Sequence, residues 1–163
     1  MAKGNEFKHP LKAHAHWHVD ISYINAGGTF FYLTAMLDGH SRYIVRHELR
    51  ESMTELEVEI IYQAAVKKRP GVKPRIISDN GPQFLAGDFK VFVRHSGMTH
   101  VKTSPYYPQS NGKLERWHKS LKIERIGPNC PRKPNEATKL ISEYVHHYNE
   151  VRLHSEIGVC YVG

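Results

Sequence analysis

From Trp17 to Ile24 apolar and polar residues alternate, with Trp17, Val19, Ile21 and Tyr23 on one side of the chain. A period of two predicts a β-strand with one buried face. The stretch NAGG at 25–28 then turns into a second run rich in β-formers, TFFYLTAML at 29–37. Asp38 and Gly39 separate that run from a third, RYIVRHEL, which is hairpin chemistry and makes Asp38 a turn residue and not a catalyst. The period then changes to that of a helix: Ser52 and Glu55 form an S-x-x-E capping box, and Leu56, Ile60 and Ala64 recur every four residues. A strand is predicted at 74–78, and a helix from about Asp88 with Phe89, Phe92 and Val93 inward and Gly97 as its stop. A short strand around His100 leads into KTSPYYPQSNG at 102–112, whose Pro, Ser, Asn and Gly make it a loop. A long helix follows from about Asn111 to Arg125, with Leu114, Trp117 and Leu121 toward the core. After the breaker GPNCPRKP a last helix covers roughly 135–149. The order β-β-β-α-β-α-β-α-α, without internal repeat, predicts an α/β fold: a mixed five-stranded sheet flanked by helices.

At 163 residues the chain suits one domain with a real core. Residues 1–12 read as a basic, flexible tail, 13–158 as the core and 159–163 as a truncated C-terminal end. A formal charge of +7 and a pI near 9.4 favour a polyanionic partner, most often nucleic acid. No apolar run is long enough to span a bilayer, and there is no charged-then-apolar leader, so no membrane partner is expected. Two cysteines, Cys130 and Cys160, cannot make a four-ligand zinc site and fit a reducing compartment as free thiols. A soluble intracellular domain is expected, cytoplasmic (nucleoid-associated in a bacterium) or nuclear in a eukaryote.

Three acids sit in unusual places. Asp20 interrupts an otherwise apolar strand, where aspartate is disfavoured. Asp79 ends a buried strand inside SDNGPQF, where Asp-Asn-Gly-Pro is also good turn chemistry. Glu115 begins the long helix directly after the irregular loop, with 35 residues between it and Asp79. Three carboxylates converge only around a cation, and an all-oxygen set favours Mg²⁺ or Mn²⁺ over zinc. At 100° per residue, Lys119 and Lys122 lie within about 40° of Glu115, where they can hold phosphates flanking a reacting bond. Tyr106 and Tyr107 can stack on unpaired bases or simply pack the loop.

The blocks WHVDISY, SDNGPQF and SPYYPQSNGKLERWHKSLK, in that order, resemble the catalytic core of DDE integrases and transposases, the family of retroviral integrases and insertion-sequence transposases. The resemblance covers residues 15 to about 158. It implies a ribonuclease H-like fold, with Asp20, Asp79 and Glu115 as a catalytic triad holding two Mg²⁺ or Mn²⁺ ions. It also implies metal-dependent DNA cleavage and strand transfer, with DNA (element ends and target) as partner and a homo-oligomer as the active assembly. Asn80 and Gln83 would line the site or the DNA path. The expected DNA-contacting set is completed by Tyr106, Gln109, Asn111, Lys113, Arg116, Lys119 and Lys122. YNEVRLHSEIG at 148–158 resembles the closing signature of insertion-sequence transposases through Tyr148, Asn149, Arg152 and His154, without the usual downstream proline. No helix-turn-helix or zinc module precedes residue 15, so end recognition is expected from a missing domain or partner chain.

Two other readings use the same residues. In HAHWHVD, His16, His18 and Asp20 form an H-x-H-x-D pattern of the kind zinc hydrolases use, since alternate strand residues share a face. The metallo-β-lactamase-like pattern needs a histidine directly after the aspartate, where Ile21 stands, and His146 and His147 are adjacent on a helix and point apart. A tag-like or polar strand entry accounts for His14 and His16. The remaining alternative is a domesticated or inactive core that binds nucleic acid without cutting it.

Overall fold

The computed structural model describes residues 13–78, 87–102 and 112–156, the side chains of 88, 101, 102 and 152–156 excepted. The elements are β1 (His16–Ala26), β2 (Thr29–Asp38), β3 (Ile44–Arg50), α1 (Glu55–Lys67), β4 (Arg75–Ser78), α2 (Gly87–His95), β5 (Thr99–Lys102), α3 (Gly112–Leu121) and α4 (Pro134–Glu156). The sheet runs in the order β3-β2-β1-β4-β5. β1, β2 and β3 pair antiparallel, as the two hairpin turns dictate, while β1–β4 and β4–β5 pair parallel across helical connections.

Both faces of the sheet are covered. One carries Trp17, Val19, Met36 and Ile76, packed against Val58, Ile61, Tyr62 and Ala65 of α1 and Phe89 and Val93 of α2. The other carries Ile24, Ala26, Leu33, Ala35 and Leu37, packed against Leu114, Trp117 and Leu121 of α3 and Ala137, Ile141, Tyr144 and Val145 of α4. β1 serves both cores. Its odd positions are buried at Trp17 and Val19, its even positions at Ile24 and Ala26, and Tyr23 is exposed despite the alternation that paired it with the odd set. A strand buried on both faces does not keep a clean period of two.

Two further expectations shift. The capping box is formed by Thr54 and Glu57: Glu57 Oε2 accepts the Thr54 N–H at 2.7 Å and Thr54 Oγ1 accepts the Glu57 N–H. Glu55 instead accepts the Phe89 N–H at 2.6 Å, tying α2 to α1. Leu56 and Ile60 face solvent, because the bulkier stripe Val58, Ile61, Tyr62, Ala65 takes the core. The long helix does not stay α-helical to Arg125: α3 closes at Leu121, and a π-helical turn (Lys122–Ile126) leads to a short helical turn at Gly127–Asn129. α4 in turn extends to Glu156, beyond the expected end.

Asp38 is a turn residue, as expected. Its carboxylate accepts the Ser41 hydroxyl and N–H and the His14 N–H, closing the β2–β3 turn over the start of β1. Gly27 has φ +65°, and a Cβ there would lie 2.3 Å from the Arg132 carbonyl oxygen, so only glycine lets the β1–β2 hairpin dock on the segment before α4. Asn149 binds both main-chain groups of Ile44, accepting its N–H at 2.8 Å and donating to its carbonyl at 3.2 Å, and Tyr148 donates to the Arg42 carbonyl at 2.8 Å. The Tyr-Asn pair of the closing signature thus fastens α4 to the start of edge strand β3. The Arg152 and His154 side chains lie outside the described residues.

Candidate active site

Asp20 sits on β1, the central strand, paired with Ala35 of β2. It shares its side of β1 with Ile24 and Ala26, which pack against α3, so the acid faces that helix. One oxygen, Oδ1, accepts the Ile21 N–H at 3.0 Å. The other, Oδ2, lies 3.8 Å from Nε2 of His118 on α3. Glu115 is exposed and lies one turn before His118 on the same helix. Residues three apart on a helix are neighbours, about 5–6 Å between Cβ atoms, so α3 carries Glu115 to the edge of the Asp20–His118 contact.

His118 is a residue that sequence reasoning missed. Its side chain is 5% exposed, and neither ring nitrogen meets a partner in hydrogen-bond geometry. Burial lowers its pKa to about 3, with the nearby Lys122 adding to the effect and the Asp20 main chain opposing it. The contact with Asp20 is therefore between a neutral imidazole and a carboxylate, not an ion pair, at neutral pH. The signal was in the helix register. His118 falls between Glu115 and the Leu114/Leu121 stripe, where a polar side chain has to be half covered.

The donor chemistry fits a hard cation. Asp20 and Glu115 offer oxygen only, and the ring beside Asp20 is neutral and does not neutralise its charge. Among the described residues no three His, Cys, Asp or Glu side chains lie close enough to share a metal ion. All members of the H-x-H-x-D pattern are described, so His16, His18 and Asp20 do not form a zinc site. Successive same-face residues of a strand stand about 6.6 Å apart, which puts His16 and Asp20 roughly 13 Å from each other. His14 is a structural residue: its Nδ1 accepts the Trp17 indole N–H at 3.1 Å.

Asp79, Asn80, Gln83, Tyr106, Gln109 and Asn111 lie outside the described residues. Ser78, which precedes Asp79 in sequence, is buried at the end of β4, with its hydroxyl 2.5 Å from His100 Nε2. The last printed pair between β1 and β4 joins His18 to Ile77, so β4 ends beside the part of β1 that carries Asp20. The four described cations of the expected DNA-contacting set divide between two flanks of α3. Lys119 and Lys122 lie within about 40° of Glu115, whereas Arg116 is about 100° and Lys113 about 160° away. Arg116 and Lys113 line a separate cavity with Arg42, Ser120, Tyr144 and Tyr148.

A mixed sheet in this strand order, helices on both faces and an acid on the central strand define the ribonuclease H-like class of α/β folds. The chain belongs to the integrase core domain family, whose model matches residues 10–108, with a second integrase core domain model matching residues 96–160. It is 29% identical over 144 residues to an uncharacterized 31 kDa protein of insertion element IS600 from Shigella sonnei, covering 87% of this chain and 53% of that protein. It is 28% identical over 141 residues to the transposase of insertion sequence element IS904 from Lactococcus lactis, covering 85% and 56%. The chain thus spans about half the length of these insertion-element relatives. The catalytic core of BIV integrase superposes with a TM-score of 0.65 at 23% identity, covering 89% of this chain and 97% of that one. The HTLV-2 integrase catalytic core, solved with magnesium in dimeric form, gives 0.57 at 21% identity, covering 83% and 86%. No helix among the described residues is long and apolar enough to cross a membrane.

Proposed function

We propose that this chain is the catalytic core of a DNA-integrating polynucleotidyl transferase of the transposase type. Asp20, Asp79 and Glu115 would together hold two divalent ions, Mg²⁺ or Mn²⁺. The observation that carries the reading is Asp20 itself: a carboxylate on the central strand of an integrase-family sheet, facing the helix of Glu115 and flanked by a neutral, buried imidazole. The magnesium in the related HTLV-2 core supports the choice of ion.

Bound ions of this kind activate an attacking oxygen and stabilise the leaving oxygen on phosphorus. The chain's own part is positioning. β1 and the Ile21 N–H fix the Asp20 carboxylate, α3 carries Glu115, and Lys119 and Lys122 hold phosphates beside the reacting bond without reading bases. In the first step water attacks a phosphodiester at an element's end, forming a P–O bond and releasing a 3′ hydroxyl. In the second that hydroxyl attacks a target phosphodiester, whose own 3′ oxygen leaves and takes up a proton. Element ends would be recognised by a domain or chain beyond this core, and the active assembly would contain several copies; the HTLV-2 core is itself known as a dimer and a trimer.

A branched DNA that already holds a 3′ hydroxyl beside the scissile phosphate tests this directly, because attack becomes effectively unimolecular. With Mn²⁺ or Mg²⁺ the protein should reseal the branch while failing at end-specific insertion. Asp20→Asn, Asp79→Asn and Glu115→Gln should each abolish resealing without unfolding the domain. DNA binding without any resealing would replace this reading by a nucleic-acid-binding module that does not cut.

A further inference from the structure

Away from Glu115, α3 helps to build a second site. A cavity of about 250 Å³, room for roughly eight waters, lies between α3, α4 and the β2–β3 turn. Trp117, Tyr144 and Tyr148 line it, the two tyrosine rings each against the indole with centroids 5.8 and 6.4 Å from it. Arg42, Lys113 and Arg116 also line it, together with the Ser120 hydroxyl, and no carboxylate among the described residues does. Three cations from two stretches of chain, α3 and the β2–β3 turn, share one concavity, and a cleft lined by one sign of charge concentrates ions of the other.

Arg42 adds an independent observation. It holds φ +63°, a left-handed conformation that costs a non-glycine residue about 1–2 kcal/mol. The turn fixes it there, with the Arg42 N–H donating to the Asp38 carbonyl and the Arg42 carbonyl accepting from Tyr148. Glycine or asparagine would fit this position more cheaply. An arginine is instead held rigidly at the mouth of the cavity, half-buried, where its planar fork suits a phosphate oxygen pair.

We infer that this cavity is a phosphate subsite that seats a DNA backbone phosphodiester, gripped by Arg42, Lys113 and Arg116. Its phosphate is a different one from any held at Lys119 and Lys122, because the two flanks are about 60–180° apart on a helix some 10–12 Å across. The site extends the proposed function: α3 would hold DNA on two sides, at the reacting bond and on a neighbouring stretch of backbone. It rests on the DNA-binding part of that reading but not on catalysis.

Two measurements test it on the whole chain. The first is titration with inorganic phosphate, followed by tryptophan fluorescence, since the only tryptophans are Trp17 and Trp117 and only Trp117 lines the cavity. The signal should saturate in the native protein and vanish in Arg42→Gly, a change that also relieves the backbone strain, and in Arg116→Gln. The second is the salt dependence of binding to an unrelated duplex and to a single strand. A shared phosphate predicts that Arg42→Gly, Arg116→Gln and the double variant all flatten the duplex slope of log affinity against log salt by the same amount, about 0.9. Slope losses that add in the double variant would mean two separate surface charges and would overturn the subsite. So would unchanged slopes with folded variants, or phosphate titration without a signal. Phosphate binding that survives while branch resealing is absent would sink the catalytic reading and leave the subsite standing.

Discussion

The two faces of the sheet bury comparable apolar clusters, yet they differ in what they do with polar groups. On the α1/α2 face the Tyr62 hydroxyl is buried without a partner, amid Phe89, Ile61 and Val58, and no ionised group approaches it in the contacts described. On the α3/α4 face the Trp117 indole N–H and both His118 ring nitrogens are buried without partners, and the neighbour of His118 is the Asp20 carboxylate. An unsatisfied buried polar group costs about 1–3 kcal/mol wherever it lies. Its surroundings distinguish the two cases. Tyr62 is a packing residue with a tolerated hydroxyl, whereas His118 stands where a neutral ring leaves Asp20 its charge. The first face is built for stability. The second gives up part of it around an acid.

The largest effect should come from the packing face. Phe89 is fully buried and touches the rings of Tyr62, Phe92 and His100. Phe89→Ala should cost about 3–5 kcal/mol, enough to leave a domain of this size marginal in a urea titration. A loss below about 1 kcal/mol would mean that this face is loosely packed. On the other face Asn149→Leu should cost about 2–3 kcal/mol, because it strands both main-chain groups of Ile44 in a buried place. That loss should be confined to stability, with resealing per folded molecule unchanged.

The pH dependence separates His118 from Tyr62. The folded pKa of His118 is about 3 against an ordinary 6.5, so between these values the unfolded chain holds a proton that the folded one does not. Stability is therefore fully present above pH 6.5 and falls as pH drops toward 3, by at most about 1.4 kcal/mol per pH unit for one group. His47, lowered chiefly by burial, acts in the same direction, so the difference from His118→Leu isolates the His118 share. In metal-free buffer His118→Leu should match or slightly exceed the native stability at pH 7 and lose less of it at pH 5. Tyr62→Phe should leave the pH slope unaltered. Equal slopes in native protein and His118→Leu would show that His118 is solvated and that its contact with Asp20 is loose.

How far the sequence revealed this arrangement depended on whether a residue's role was local. Hairpin turns, the strand order of types and the core stripe of α3 follow from patterns a few residues long, and Asp38 was legible as a turn acid for that reason. Asp20 stood out because an acid inside an apolar strand needs an explanation. Leu56 and Ile60 misled, because two stripes at helical spacing competed on α1 and only the neighbouring sheet chooses between them. The facing of β1 switches midway because two different helix pairs cover its two sides, which no local period encodes. His118 and Arg42 matter through partners 98 and 106 residues away in sequence, Asp20 and Tyr148, and such contacts leave no mark on either stretch alone.

The smallest expected effect lies where the packing face begins. Glu57 closes the capping box of α1 and collects the Thr54 N–H, the Ser52 hydroxyl and the Arg50 guanidinium at 3.9 Å. Partial burial pushes its pKa up, but the hydrogen bonds and Arg50 together outweigh that and hold it below the usual 4.5. A lowered carboxylate pKa contributes stability that is present above about pH 4.5 and lost as pH falls through the folded value. Glu57→Gln keeps the shape and one acceptor while removing the charge, so at pH 7 it should cost less than about 1 kcal/mol, the scale of a single cap or exposed ion pair. Once the pH has fallen through the folded pKa the native carboxyl is itself neutral, and the two proteins should converge. Urea midpoints at pH 7 and below the folded pKa give the answer. A cost that persists undiminished in acid would assign the cap to shape and hydrogen bonding alone, with the Glu57 charge contributing nothing.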